Sequence, residues 1–199
     1  MSRVAEGLAA VRERIAAACA RCGRDPATVR LVAVSKRHGP EAIRAAYAAG
    51  QRLFGENYVQ ELVDKAAVLG DLPELRWHFI GHLQRNKAKH VARLGAVVET
   101  VDSARLAAAL DRRAARADRT LPVLLQVDVG GEAQKAGCAP AEVADLVEAV
   151  KGHAHLELRG LMTLPPLAET PAASRPFFAQ LRELADAHGL AERSMGMCG

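Results

Sequence analysis

Aromatic residues are scarce: Phe, Tyr and Trp make up 4% of the 199 residues, with a single Trp. Proteins that hold single-stranded nucleic acid stack its bases on aromatic side chains, so that class of partner is not expected. Cysteine is nearly as rare, and Cys19, Cys22, Cys138 and Cys198 are too scattered for a disulfide framework. Cys19 and Cys22 form a C-x-x-C without a second C-x-x-C or C-x-x-H to complete a metal site, and read as buried thiols on one helical face. No stretch approaches the ~20 apolar residues of a membrane span. Arg3, Glu6, Arg12, Glu13 and Arg14 interrupt the N-terminal apolar residues, a pattern unlike a secretory leader. A cytoplasmic protein is expected. The excess of positive charge is also small, at +4. The arginines are spread along helices and not gathered in one run, so the bias fits a small anionic ligand.

Catalytic constellations are missing too. No pair of carboxylates faces a common point, no Ser/His/Asp order stands out, and no His/Asp cluster has metal-ligand spacing. His78 and His82 are four apart across a strand–loop junction; His78 reads as a packed strand residue and His82 as a rim residue.

Half of the residues are hydrophobic, and their spacing alternates between two periods. Val4, Leu8, Val11, Ile15, Cys19 and Cys22 mark an amphipathic helix over about 3–22. Strands follow at 31–35, 52–54, 77–80, 97–101, 122–129 and 156–161, and 194–197 reads as the exit of another. Helices lie between them, at 40–50, 59–70, 83–94, 103–117, 140–150 and 176–188. Asp102 is the expected cap of the helix from Ser103. A strand–helix unit recurring about seven times gives a parallel sheet, and short, evenly spaced units favour a (β/α) TIM-type barrel over an open doubly wound sheet. With no linker or composition shift, residues 1–199 read as a single domain. A closed barrel needs eight strands, so the last strand and helix are read as lacking.

Active sites of such barrels form at the C-terminal strand ends. That rule gathers Lys36, Glu56-Asn57, Gly81-His82, Asp102, Gly130-Gly131, Met162-Thr163 and Ser194-Met195-Gly196 on one rim. Leu31-Val32-Ala33-Val34-Ser35 reads as a fully buried strand ending at Lys36, an ammonium in poor solvent. Desolvation lowers a lysine pKa, and the neutral amine attacks carbonyls; a lysine after a strand also reads as ordinary solvated loop. Asn57 can bond a hydroxyl or phenolate, and Ser194 with Gly196 can hold a phosphate. Those are the requirements of pyridoxal 5'-phosphate (PLP).

Val34-Ser35-Lys36, Phe54-Gly55-Glu56-Asn57-Tyr58-Val59-Gln60-Glu61, Trp77-His78-Phe79-Ile80-Gly81-His82-Leu83-Gln84, Arg159-Gly160-Leu161-Met162 and Ser194-Met195-Gly196-Met197 occur in that order. Together they resemble the YggS/PROSC-type pyridoxal phosphate homeostasis proteins. The resemblance implies a barrel similar to the alanine racemase N-terminal domain, with an extra N-terminal helix. It implies PLP bound as an internal aldimine on Lys36, Asn57 near the ring and its O3', Met162 lining the pocket, and Ser194 and Gly196 at the phosphate. It implies no established catalysis, and apo PLP-dependent enzymes as recipients; the residues themselves lead to no metal being expected, and a monomer is expected. Asp128 stands where the family usually has asparagine, and Cys198 where it has serine. An R-x-G motif on a final strand is absent. A PLP-dependent racemase is the alternative, although its second base would have to be Tyr47 or Tyr58. A Schiff-base aldolase on a similar barrel would also keep a lysine at a strand end.

Overall fold

A computed structural model describes residues 3–131, 136–166 and 170–196, the side chain of Pro171 excepted. The chain forms two compact units, Met1–His78 and Phe79–Gly199. Among the described residues the strands belong to one seven-stranded sheet, ordered β1 to β7 as they occur in the chain. The pairs β1–β2, β4–β5, β5–β6 and β6–β7 are parallel. Addition of each new strand next to the last is the βα order of the expected barrel.

The first unit opens with α1 (Arg3–Arg21), followed by β1 (Ala33–Val34), α2 (Pro40–Ala48), β2 (Leu53–Glu56) and α3 (Val59–Val68), with β3 (Arg76–Phe79) at its end. Pro40 supplies a fixed φ in the first turn of α2, and Gly50, at φ +86°, turns the chain after its end. Gln51 is buried and joins the layers. Its Nε2 donates to the carbonyls of Leu31 and Leu53, both at 2.7 Å, and its Oε1 accepts from Arg12 of α1 at 3.3 Å. Ile43, Phe54 and Leu62 are the largest side chains sealed in this unit.

The second unit continues with α4 (Ala88–Leu94), β4 (Val97–Val101), α5 (Ala104–Arg116), β5 (Leu121–Gln126), α6 (Val143–Lys151), β6 (Leu156–Thr163), α7 (Arg175–Ala187) and β7 (Glu192–Met195). Val98, Leu110, Leu121, Leu125, Leu161 and Leu181 are fully buried and form its core. Gly160 is the one residue that fits its place in β6. A Cβ there would overlap the backbone carbonyl of Glu192 in β7, so the two strands approach over a glycine.

Five expectations need correction. The first strand is two residues long, pairs with β2 alone among the described residues, and leaves Val34 46% exposed. With only one hydrogen-bonding neighbour, its apolar run is not a fully buried strand. Cys19 is buried but Cys22 is exposed, because it lies beyond the last helical residue, Arg21. The cap of α5 is Ser103, whose Oγ accepts from Leu106 N–H at 3.4 Å and donates to Asp102 at 3.1 Å. The helix expected from Leu83 begins with a 3-10 turn at Arg85–Lys87. Glu56, read as loop, is the buried last residue of β2.

Candidate functional site

Lys36 follows β1 in a tight turn closed by His38 N–H donating to the Ser35 carbonyl at 3.0 Å. Arg37, the next residue, has φ +63°, a left-handed conformation that a side chain disfavours. Lys36 itself is exposed, and forms no hydrogen bond or ion pair among the described residues. Exposure removes the desolvation argument for its reactivity: the amine is accessible, not poorly solvated.

What holds this turn lies beneath it. Lys65 of α3 is 7% exposed, and its Nζ donates to the Ser35 carbonyl at 2.8 Å, Glu56 Oε1 at 2.7 Å and Glu61 Oε2 at 2.8 Å. Ser35 Oγ donates to the same Glu56 oxygen at 2.7 Å. Arg37 N–H donates to Glu61 Oε2 at 3.0 Å. The residues on both sides of Lys36 are therefore tied to one buried ammonium and its two carboxylates. Burial by itself would lower the Lys65 pKa, but the hydrogen bonds to Glu56 and Glu61 outweigh it and hold the group above the ordinary lysine value. The bond from Lys65, then that from the Arg37 N–H, holds the Glu61 carboxyl below the usual range. Glu56 is fully buried, and its Oε2 has no hydrogen-bond partner among the described residues.

Asn57 follows the end of β2 and is half-buried. The register Val34↔Gly55, continued by Ser35 N–H donating to the Gly55 carbonyl at 2.9 Å, brings Lys36 and Asn57 to neighbouring strand exits.

In the second unit, Met162 is 3% exposed and pairs in register with Ser194. Thr163 Oγ1 donates to the Val127 carbonyl at 2.8 Å, and Val127 N–H to the Met162 carbonyl at 2.9 Å, which fixes the exits of β5 and β6. Ser194 Oγ donates to Glu99 Oε2 at 2.6 Å, so its proton is already committed to a strand β4 carboxylate. A side chain at Gly196 would meet nothing within 4 Å among the described residues. Asp128 Oδ1 accepts from Gly130 N–H at 3.1 Å and holds its own loop. His78 is buried as expected, and His82 is exposed with Nδ1 3.9 Å from Asp102. Among the described residues no group of three His, Cys, Asp or Glu could hold a metal ion. Met197 and Cys198 lie outside the described residues.

Reading by residue type passed over Glu61, Lys65 and Glu99, and placed Glu56 on the rim without giving it a role. One signal was available for Lys65. It falls with Leu62 on the buried face of α3, one turn before the buried Leu69 at the C-cap and four residues after Glu61, where an unpaired lysine would not be tolerated.

The alanine racemase N-terminal domain family matches residues 7–197. A pyridoxal phosphate homeostasis protein of Pseudomonas aeruginosa is 49% identical over 199 residues, covering 99% of this chain and 86% of the relative. The chain belongs to that family. The homeostasis protein of Aquifex aeolicus is 41% identical, over 91% of this chain and 79% of its own length. Among solved structures, PipY of Synechococcus elongatus with PLP bound has a TM-score of 0.85 at 40% identity, covering 98% of this chain and 89% of PipY. An alanine racemase from Streptomyces coelicolor has a TM-score of 0.68 at 24% identity, over 94% of this chain and 51% of that one, and shares the fold alone.

Proposed function

We propose that the chain is a single PLP-binding domain of the homeostasis family, attaching the cofactor covalently through Lys36 and catalysing no reaction of its own. When bound, PLP supplies an aldehyde that an amine captures reversibly, the oxygen leaving as water. The observation that carries this reading is Lys36 itself: an accessible amine at a strand exit, with the backbone on both sides pinned from below. Asn57, at the next strand exit, offers an amide for the ring hydroxyl. Met162 supplies an apolar wall. At the phosphate end Gly196 has no side chain to keep an anion from its backbone N–H. Because the Ser194 hydroxyl donates to Glu99, its contribution requires giving up that bond. PipY, solved with PLP bound, supports the choice of cofactor, and the names of the relatives support a homeostatic role.

A monomeric, cytoplasmic protein that hands PLP to apo enzymes completes the proposal. A racemase needs a second base on the far face of the cofactor. Of the two tyrosines, Tyr47 packs its ring 3.9 Å from the Arg52 guanidinium, and Tyr58 is 53% exposed. Reconstitution with PLP is expected to produce the absorbance band of a lysine-bound cofactor, and borohydride followed by peptide mapping to trap it on Lys36. K36A should lose the band. An unchanged spectrum with label still at one other lysine would reject Lys36, and turnover of L- or D-alanine would reject the non-catalytic reading.

A further inference from the structure

The net positive charge of the chain is concentrated in one place. Residues 85–116 contain eight Lys and Arg against three Asp and Glu, whereas the rest contains nineteen against twenty. The three acids are engaged elsewhere. Glu99 accepts from Ser194, Asp102 accepts from Ser103, and Asp111 accepts from His155 N–H at 2.9 Å while lying beside the His153 and His155 rings. Arg85, Arg112, Arg113 and Arg116 make no ion pair among the described residues. Together with Asn86 and Ala109 they line a solvent-open cavity of about 220 Å³, in which Arg85, Arg112 and Arg116 are exposed and Arg113 is half-buried. Arg112 and Arg116 are one turn apart on α5 and repel each other, a placement that destabilises a helix unless an anion sits between them. Nearby, partial burial and then Lys89, Lys87 and Arg93 hold His90 below its ordinary value, as an unneutralised cationic field would.

We propose that this cavity binds a small ligand carrying two adjacent phosphoryl groups, of the inorganic diphosphate class. Guanidinium groups suit phosphoryl oxygens because their planar donors bind in pairs. One phosphoryl group carries about −1.5 to −2 charge and would leave half of four arginines uncompensated, whereas two match them. The cavity is below the roughly 300 Å³ at which drug-sized ligands begin, and no aromatic side chain lines it. Stacking of a base is therefore not provided for, and the charge is read by itself. None of these residues belongs to the proposed PLP site, so the two can be tested apart.

The test is calorimetric titration of the full chain, with and without PLP, at constant ionic strength. Pyrophosphate is expected to bind one per chain, at least tenfold tighter than phosphate or sulfate. ADP should bind within about threefold of pyrophosphate. R112A/R116A should weaken binding at least tenfold, while R105A, on the same helix but outside the cavity, should leave it unchanged. The absorbance of bound PLP should not move. Equal affinity for sulfate, an equal loss in R105A, or competition with PLP would overturn the proposal. So would an oligonucleotide that outcompetes pyrophosphate.

Discussion

Lys65 does for the candidate site what its neighbour Lys36 cannot do for itself. An ammonium that is 7% exposed survives only because three acceptors surround it. In K65M the fully buried Glu56 loses its cation, and breaking such a pair costs about 3–5 kcal/mol. For a chain of this length that corresponds to a fall in Tm of roughly 6–20 °C. K65M/E56Q should recover part of the loss, because the uncompensated charge goes with the second substitution. Equal melting of K65M and the wild type would show that the ammonium is not needed. The pH dependence has a definite sign. Glu61 is lowered on folding, so its contribution is present above the ordinary carboxyl value and disappears as pH falls through its lower folded value. Lys65 is raised, so its contribution is present below the ordinary lysine value and disappears as pH climbs through its higher folded value. E61Q should accordingly flatten the acid limb of Tm against pH, and it should also weaken the alkaline limb, because Glu61 is one of the two carboxylates that raise Lys65. An acid limb as steep as that of the wild type would assign the effect to other carboxyls.

At the scale of elements, β6 and β7 carry Met162 and Ser194 in register, and Gly160 sets how closely they lie. G160A places a methyl group against the Glu192 carbonyl, where backbone and not a flexible side chain must yield. Overpacking of this kind costs about 1–3 kcal/mol. PLP affinity should fall along with stability, since the strand exit moves; hydrogen exchange of the β7 amides reads the displacement directly, and unchanged protection there would refute the argument. The helices were legible in the sequence because their periods are long and their stops explicit: α1, α2 and α6 end within two residues of the expected positions. Most strand positions were legible for the same reason. The burial of β1 was not, because five apolar residues report affinity for a core without reporting whether a neighbour covers both edges. Lys36 and Asn57 could be picked out as polar residues at strand ends. The clamp beneath them could not, because buried charge runs against hydropathy and its partners, Ser35 and Lys65, are thirty residues apart. Arg85 of the 3-10 turn and Arg116 of α5 looked dispersed along the chain and meet only when it folds.

For the molecule as a whole, the single-domain proposal and the cofactor proposal make one joint prediction. A single domain unfolds in one cooperative step, with secondary-structure and near-ultraviolet probes tracing the same transition. A ligand that binds only the folded chain then shifts that whole step by mass action, adding about 2.7 kcal/mol at a hundredfold excess over Kd. At this length the expected rise in Tm is roughly 5–11 °C. K36A removes the covalent attachment while leaving Asn57, Met162 and Gly196, so the same PLP concentration should give a smaller rise. Two separate transitions, only one of which responds to PLP, would overturn the single-domain proposal and leave Lys36 standing. One transition that responds equally in wild type and K36A would do the reverse, since stabilisation would then come from contacts that do not involve the lysine.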